Sequence, residues 1–122
     1  MVRWVFDNHF KQLNLCSVAG LKRSRTKKTQ LFFGPTFIRG EANVDRMFEN
    51  LCRPRSKGGL NGLQFREKTS FIVGNVISVQ WVADAPFLKE PYVGSDAYVT
   101  CGYKILTMVS SFDSAKLKFK DV

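Results

Sequence analysis

The stretch VISVQWVADAPF, residues 76–87, decides the fold. Alternation along it puts Ile77, Val79 and Trp81 on one face of a strand and Ser78, Gln80 and Val82 on the other. The first face is aliphatic and aromatic and is expected to look into an interior. Asp84 then follows just before a proline, either as a residue closing the strand or as a carboxylate at the mouth of a pocket. The runs on either side keep the same period. LQFREKTSFIV (63–73) precedes, and SDAYVTC (95–101) and ILTMVSSF (105–112) follow, with short turns at Gly74-Asn75 and Cys101-Gly102. The link from Ala85 to Gly94 is longer and holds two prolines. Four strands in this order read as an antiparallel meander.

Upstream the period changes. Val2, Val5, Phe6, His9, Phe10 and Leu13 recur at steps of three and four, which predicts an amphipathic helix over 2–13. Val44, Met47, Phe48 and Leu51 predict a second one over 41–52, with Glu41 in its first turn where the helix dipole favours an acid. Its stripe reads as core rather than as a groove. Between the helices, TQLFFGPTFIRG (29–40) reads as a short strand, a turn at Gly34-Pro35 and a second extended piece. The sum is an α+β chain: a curved antiparallel sheet of four or more strands, with N-terminal helices packed on its concave face to form a cone. Residues 1–28 divide off as the N-terminal helix and a basic, partly flexible segment, and residues 29–122 as the cone.

At 122 residues the chain suits one core, and no run is apolar enough to span a membrane. Charged residues interrupt the N-terminus, so no secretory leader is expected and the protein is placed inside the cell. The cytoplasm is the first expectation, with the nucleus or an organelle admitted by the basic segment. Three widely spaced cysteines, Cys16, Cys52 and Cys101, suit neither a disulfide framework nor a zinc site. No metal or cofactor set is recognisable. His9, the only histidine, reads as a core or rim residue.

Net charge is +9, with seven basic groups against one acid in residues 1–28 and twelve against nine in the remainder. LKRSRTKK (21–28) reads as a solvated loop. Lys22, Arg23, Arg25, Lys27 and Lys28, with Arg53, Arg55 and Lys57 in the loop 53–62, offer a second reading as a phosphate-neutralising nucleic-acid patch without a base-reading motif. The glycines of that loop precede a strand and not a helix, which argues against a phosphate cradle.

Several strings resemble the cone-shaped nuclear-transport-factor-2-like superfamily in its SnoaL-like branch. GPTFIRGEANVDRMFENL resembles its extended segment and following helix, and NVISVQWVADAPF its central strand with a tryptophan at Trp81. GSDAYVTCGYKI resembles its next hairpin, and MVSSFDSAKL its last strand ending in an aspartate, Asp113, which is expected to cap a terminal turn. Together these cover about residues 30–118. The family opens with two helices, and here the basic stretch 21–28 stands where the second belongs, so a lid that is incomplete, displaced or supplied by a partner is expected.

The resemblance implies an interior pocket that takes a small apolar molecule, without assuring catalysis. Phe6, Phe10, Phe37, Ile77, Val79 and Trp81 are the expected lining. It also implies, as an alternative, an enzyme of isomerase, hydrolase or dehydratase type using a pocket carboxylate tuned by burial to move protons. The candidates are Asp84, Asp96 and Tyr98. Asp96, Tyr98 and Thr100 share a face, concave as an acid and phenol pair or convex as solvent or dimer residues, and the convex placement is favoured. Asp84 reads as a strand-end residue. A homodimer through the exposed sheet face is the expected assembly.

Overall fold

The computed structural model describes residues 1–120. Helices α1 (Val2–Asn14) and α2 (Val18–Arg23) lead into β1 (Arg25–Phe33) and β2 (Thr36–Arg39). Helix α3 (Glu41–Leu51) and a 3-10 turn at Arg55–Lys57 precede β3 (Gln64–Val73), β4 (Val76–Asp84), β5 (Tyr92–Cys101) and β6 (Lys104–Phe112). A second 3-10 turn spans Ser114–Lys116, capped by the Asp113 carboxylate, which accepts from the Ala115 N–H at 3.1 Å.

The meander is present as β3 to β6, and it belongs to a six-stranded sheet of order β2-β1-β6-β5-β4-β3. The β1–β2 hairpin joins it through a parallel pairing of β1 with β6. Gly74 and Gly102 each open a two-residue hairpin loop, with φ of 59° and 60°. Their residue pairs are Val73 with Val76 and Cys101 with Lys104, so the second turn is Gly102-Tyr103 rather than Cys101-Gly102. A glycine at the first loop position with positive φ matches the twist of the strands it joins.

Register shifts bend the sheet. One lies between Glu67 and Thr69 on β3, one between Val99 and Thr100 in the pairing of β5 with β6, and one between Arg25 and Gln30 on β1. An extra residue on one strand of a pair turns the ladder and increases its twist. On β1 the irregular stretch is closed by Thr29, whose hydroxyl donates to the Ile105 carbonyl at 2.9 Å.

Helix α1 lays Val5, Phe6, His9, Phe10 and Leu13 on the concave face, as its period requires. Phe6 meets Tyr98 at a ring separation of 5.5 Å and Phe10 meets Phe65 at 5.9 Å. Ile77, Val79, Trp81 and Ala83 of β4 look inward and are buried. Burying such side chains is worth about 1.5–3 kcal/mol each, which makes this layer the main source of stability.

The basic stretch departs from the loop expected of it. Ser17 caps α2, accepting from the Gly20 N–H at 3.1 Å, and residues 21–28 divide between the end of that helix and the start of β1. The second helix of the lid is therefore present. Arg25 is buried, its guanidinium paired with Asp45 of α3 and 5.1 Å from the centre of the Phe48 ring. Lys22 reaches Asp45 at 3.3 Å and Glu41 at 3.5 Å. The acids on the facing side of α3 explain why these cations settle against the fold instead of repelling one another into solvent.

Candidate functional site

Between the helices and the sheet lies a cavity of about 180 Å³. Its wall is almost wholly apolar. Leu13 of α1, Met47, Phe48 and Leu51 of α3, Leu31 of β1 and Met108 of β6 are among the side chains that form it. The polar groups on the wall are few: His9, Tyr92, Asp96, Tyr98, Ser110 and Ser114.

Asp96 is the centre of this set. It sits in the middle of β5, directly opposite Ser110 on β6, and the Ser110 hydroxyl donates to its Oδ1 at 2.7 Å. The Trp81 indole Nε1 donates to the same oxygen at 2.9 Å, and the Tyr98 hydroxyl donates to Oδ2. Trp81 reaches it across Gly94, its register partner on β5. A Cβ at position 94 would stand 2.1 Å from the indole Cζ2, so glycine here provides the space in which the ring lies.

All three donors are neutral, and Asp96 takes part in no ion pair among the described residues. Loss of water raises its carboxyl above the usual carboxylate range, and the three hydrogen bonds pull in the opposite direction without cancelling that rise. Burial, and next the neighbouring Asp96 charge, raise the Tyr98 phenol well above its ordinary value, so it remains a donor at neutral pH.

His9 stands beside Tyr98, 5.2 Å between ring centres, and 6.0 Å from Phe48. Burial, with the charge of Arg25 second, lowers its pKa to about 3, so the imidazole is neutral. Among the described residues its Nδ1 has no hydrogen-bond partner, and neither does the Tyr92 hydroxyl on the same cavity wall. The site thus offers a carboxyl group with a raised pKa and two buried polar atoms without partners on an apolar wall.

The expected site residues fall in three places. Asp96 and Tyr98 face the concave side, which corrects the convex placement favoured from the sequence. Ser95, Ala97 and Val99 take the outer side, and the indole over Gly94 fixes which is which. Trp81 lines the cavity, while Phe6, Phe10, Ile77 and Val79 are packed in the solid core beside it and do not reach the open space. Phe37 lies outside: it is 45% exposed and stacks on Phe32 with ring centres 4.6 Å apart. Asp84 is apart from the cavity and pairs with Arg66 on β3. Ser110 and Tyr92 were not singled out in the sequence. Tyr92 shares its strand face with Asp96, which was the available signal, whereas Ser110 had none.

The eight expected nucleic-acid contacts are also divided. Lys22, Arg23, Arg25, Lys27 and Lys28 belong to α2 and β1, and Lys22 and Arg25 meet the first turns of α3. Arg53, Arg55 and Lys57 follow that helix's other end. A helix of 11 residues separates the two groups, roughly 16 Å at about 1.5 Å per residue.

No three His, Cys, Asp or Glu side chains converge as a metal-ligand set among the described residues. The cysteines are free thiols, and burial, with Cys16 beside it, pushes Cys52 up to about 12, which leaves it without thiolate character at neutral pH. No described helix is long and apolar enough to cross a membrane.

No protein-family model matches the chain, and no curated protein matches it by sequence. Solved structures do match over nearly its whole length. An NTF2-like protein of unknown function from Cytophaga hutchinsonii is similar at 15% identity and a TM-score of 0.74, covering 94% of this chain and 92% of its own. The epoxide hydrolase/cyclase-like enzyme SalBIII of pyran ring formation in the polyether salinomycin is similar at 12% identity and a TM-score of 0.77, covering 98% and 95%. A putative ketosteroid isomerase from Kribbella flavida is similar at 15% identity and a TM-score of 0.73, covering 92% and 77%. The chain therefore has the cone fold of NTF2-like proteins.

Proposed function

We propose that this chain binds a small, largely apolar molecule in the cavity of its cone, with Asp96 as the group that meets the ligand's polar atom and exchanges a proton with it. The observation that carries the reading is the Asp96 carboxyl itself, which opens onto an apolar cavity and is held by three neutral donors with no cation. Such a group costs stability when ionised, and a fold that needed only a filled core would place an apolar side chain there. The unpartnered His9 Nδ1 and Tyr92 hydroxyl support the same reading, because a bound polar ligand would give each a partner.

Chemically, the ionised form of a carboxyl with a raised pKa takes a proton from an acidic C–H or O–H of the ligand, becomes the carboxylic acid, and returns the proton elsewhere on the same molecule. Tyr98, kept as a phenol, holds the carboxylate oriented through that cycle. Proton-transfer isomerisation is thus the reaction this site is built to perform when the ligand carries such a hydrogen.

Calorimetric titration with phenol, a neutral one-ring probe with one hydroxyl, tests the binding step. Binding is expected in the wild type, weakened at least tenfold in Met47→Trp, which fills the cavity from α3; tenfold corresponds to about 1.4 kcal/mol. Equal binding by both proteins would show that the probe sits elsewhere.

The outer sheet face supports the homodimer as part of this proposal. Phe37, Phe32, Val109, Ala97, Ser78 and Phe71 are successive register partners across all six strands, and Phe71 is 66% exposed. A row of this kind is suited to a second copy of the same sheet. Sedimentation equilibrium is expected to give twice the chain mass, and Phe71→Glu to give the chain mass.

A further inference from the structure

The cavity has a deep end and a mouth. His9, Tyr98 and Met108 at the deep end are buried, while Leu51, Leu60, Ser114 and Leu117 on the lining are partly or fully exposed. The mouth is therefore built from the end of α3, the loop after it, and the chain that follows β6.

These segments are tied together by contacts. The Leu60 N–H donates to the Leu51 carbonyl at 2.8 Å, anchoring the loop to the helix. Arg55 lies 3.9 Å from the centre of the Phe119 ring, joining the loop to the C-terminal segment. Phe119 bridges to Leu88, and the Lys89 N–H donates to the Lys118 carbonyl at 3.0 Å, which joins that segment to the β4–β5 connection.

The charge carried by the same segments is one-sided. Residues 48–57, 85–91 and 113–120 contain seven Lys or Arg and three acids, Glu49, Glu90 and Asp113. All seven cations are exposed, and none makes an ion pair among the described residues. By contrast the cations at the start of α3 are answered by Asp45 and Glu41. The cone thus presents an apolar interior behind an electropositive rim, with like charges gathered at its opening and no acid paired with them among the described residues.

We infer that the ligand is an amphipathic anion, whose apolar body fills the cavity and whose carboxylate or phosphate end lies at the mouth, where the rim formed by residues 53–57 and 116–120 attracts it. The inference rests on the proposed function, because it describes the part of the ligand that the cavity leaves outside. A cavity near 180 Å³ holds little more than one ring, given that about 150 Å³ accommodates benzene, so a longer ligand must extend through the mouth. Its end then comes within about one Debye length, roughly 8–10 Å, of several rim cations, where their attraction is felt at physiological salt.

The test uses three probes with one apolar body and different ends: phenylbutyrate, phenylbutyl phosphate and phenylbutanol. Each is titrated into the full chain by calorimetry at low salt and at about 0.5 M, where the Debye length is well below 10 Å. Both anions are expected to bind at least tenfold more tightly than the alcohol at low salt, and the advantage is expected to shrink at high salt. In the triple variant Arg53→Glu, Lys116→Glu, Lys118→Glu the advantage is expected to vanish while the affinity for phenylbutanol is unchanged, which also shows that the variant is folded. The phosphate carries up to twice the charge of the carboxylate, so a phosphate gain above the square of the carboxylate gain identifies a phosphorylated ligand, and a smaller one a carboxylic acid. Equal affinity for all three probes would overturn the rim's role and leave the cavity reading standing. Failure of all three to bind would overturn the cavity reading, and this inference with it.

Discussion

Replacement of His9 by glutamine gives a pH-dependent result whose sign and size follow from where the imidazole sits. His9 is 3% exposed, and its folded pKa is lowered from 6.5 to about 3 by burial first and by Arg25 second. The unfolded chain therefore takes up a proton on this residue below pH 6.5, and the folded chain does not until about pH 3. Stability from this source is fully present above 6.5 and is lost as pH falls through that window. At about 1.36 kcal/mol per unit, the loss reaches about 2 kcal/mol by about pH 5.

Asp96 acts with the opposite sign. Its raised folded pKa makes the folded state hold a proton that the unfolded state has already released, so its contribution is present below 3.8 and lost as pH rises toward the raised value. A single pH profile of the wild type mixes the two, and the difference between wild type and His9→Gln separates them. Urea unfolding followed by tryptophan fluorescence is the assay. With an m-value of about 1–3 kcal/mol/M, the wild-type midpoint should fall about 1 M further than that of the variant between about pH 7.5 and about pH 5. Parallel profiles would refute a buried neutral His9 at the cavity wall.

Asp45→Ala removes the partner of the buried Arg25 guanidinium and should cost about 3 kcal/mol or more, read as a lower urea midpoint at neutral pH, because an uncompensated charge is left inside. Gly94→Ala should cost about 1–3 kcal/mol and displace the indole from Asp96, since the new methyl would enter the space of the Trp81 ring. The accompanying sign is a shifted indole Nε1–H resonance, and an unchanged resonance would contradict the geometry around Asp96.

Much of this arrangement is written in the period of the chain. The apolar steps of α1 and α3 and the alternation of β3 to β6 give elements whose ends differ from expectation by a few residues. Helix α2 was hidden because six residues, one of them Gly20, are too few to show a period, and its cations gave the segment the look of a solvated loop. Arg25 could be recognised as an interior residue only with knowledge of Asp45, which lies 20 positions away and reaches it through the fold. For β5 the alternation placed Asp96 with Tyr98 and left the side undecided, because both faces carry small or polar residues. Only the register with β4, which sets Gly94 opposite Trp81, settles that face as concave. Phe37 shows the converse: an aromatic residue in a strand looked like lining and proved to be part of an outer row completed by Phe32, Val109 and Phe71 on other strands.

The most direct measurement is the pH titration of the Asp96 carboxyl by carbon-13 NMR, assigned by comparison with Asp96→Asn, in the free protein and with phenol bound. A midpoint above the ordinary 3.8, moving higher when the ligand displaces the remaining water from the cavity, is the predicted result. A midpoint at or below 3.8 that does not respond to the ligand would contradict a proton-exchanging carboxyl in an apolar binding site.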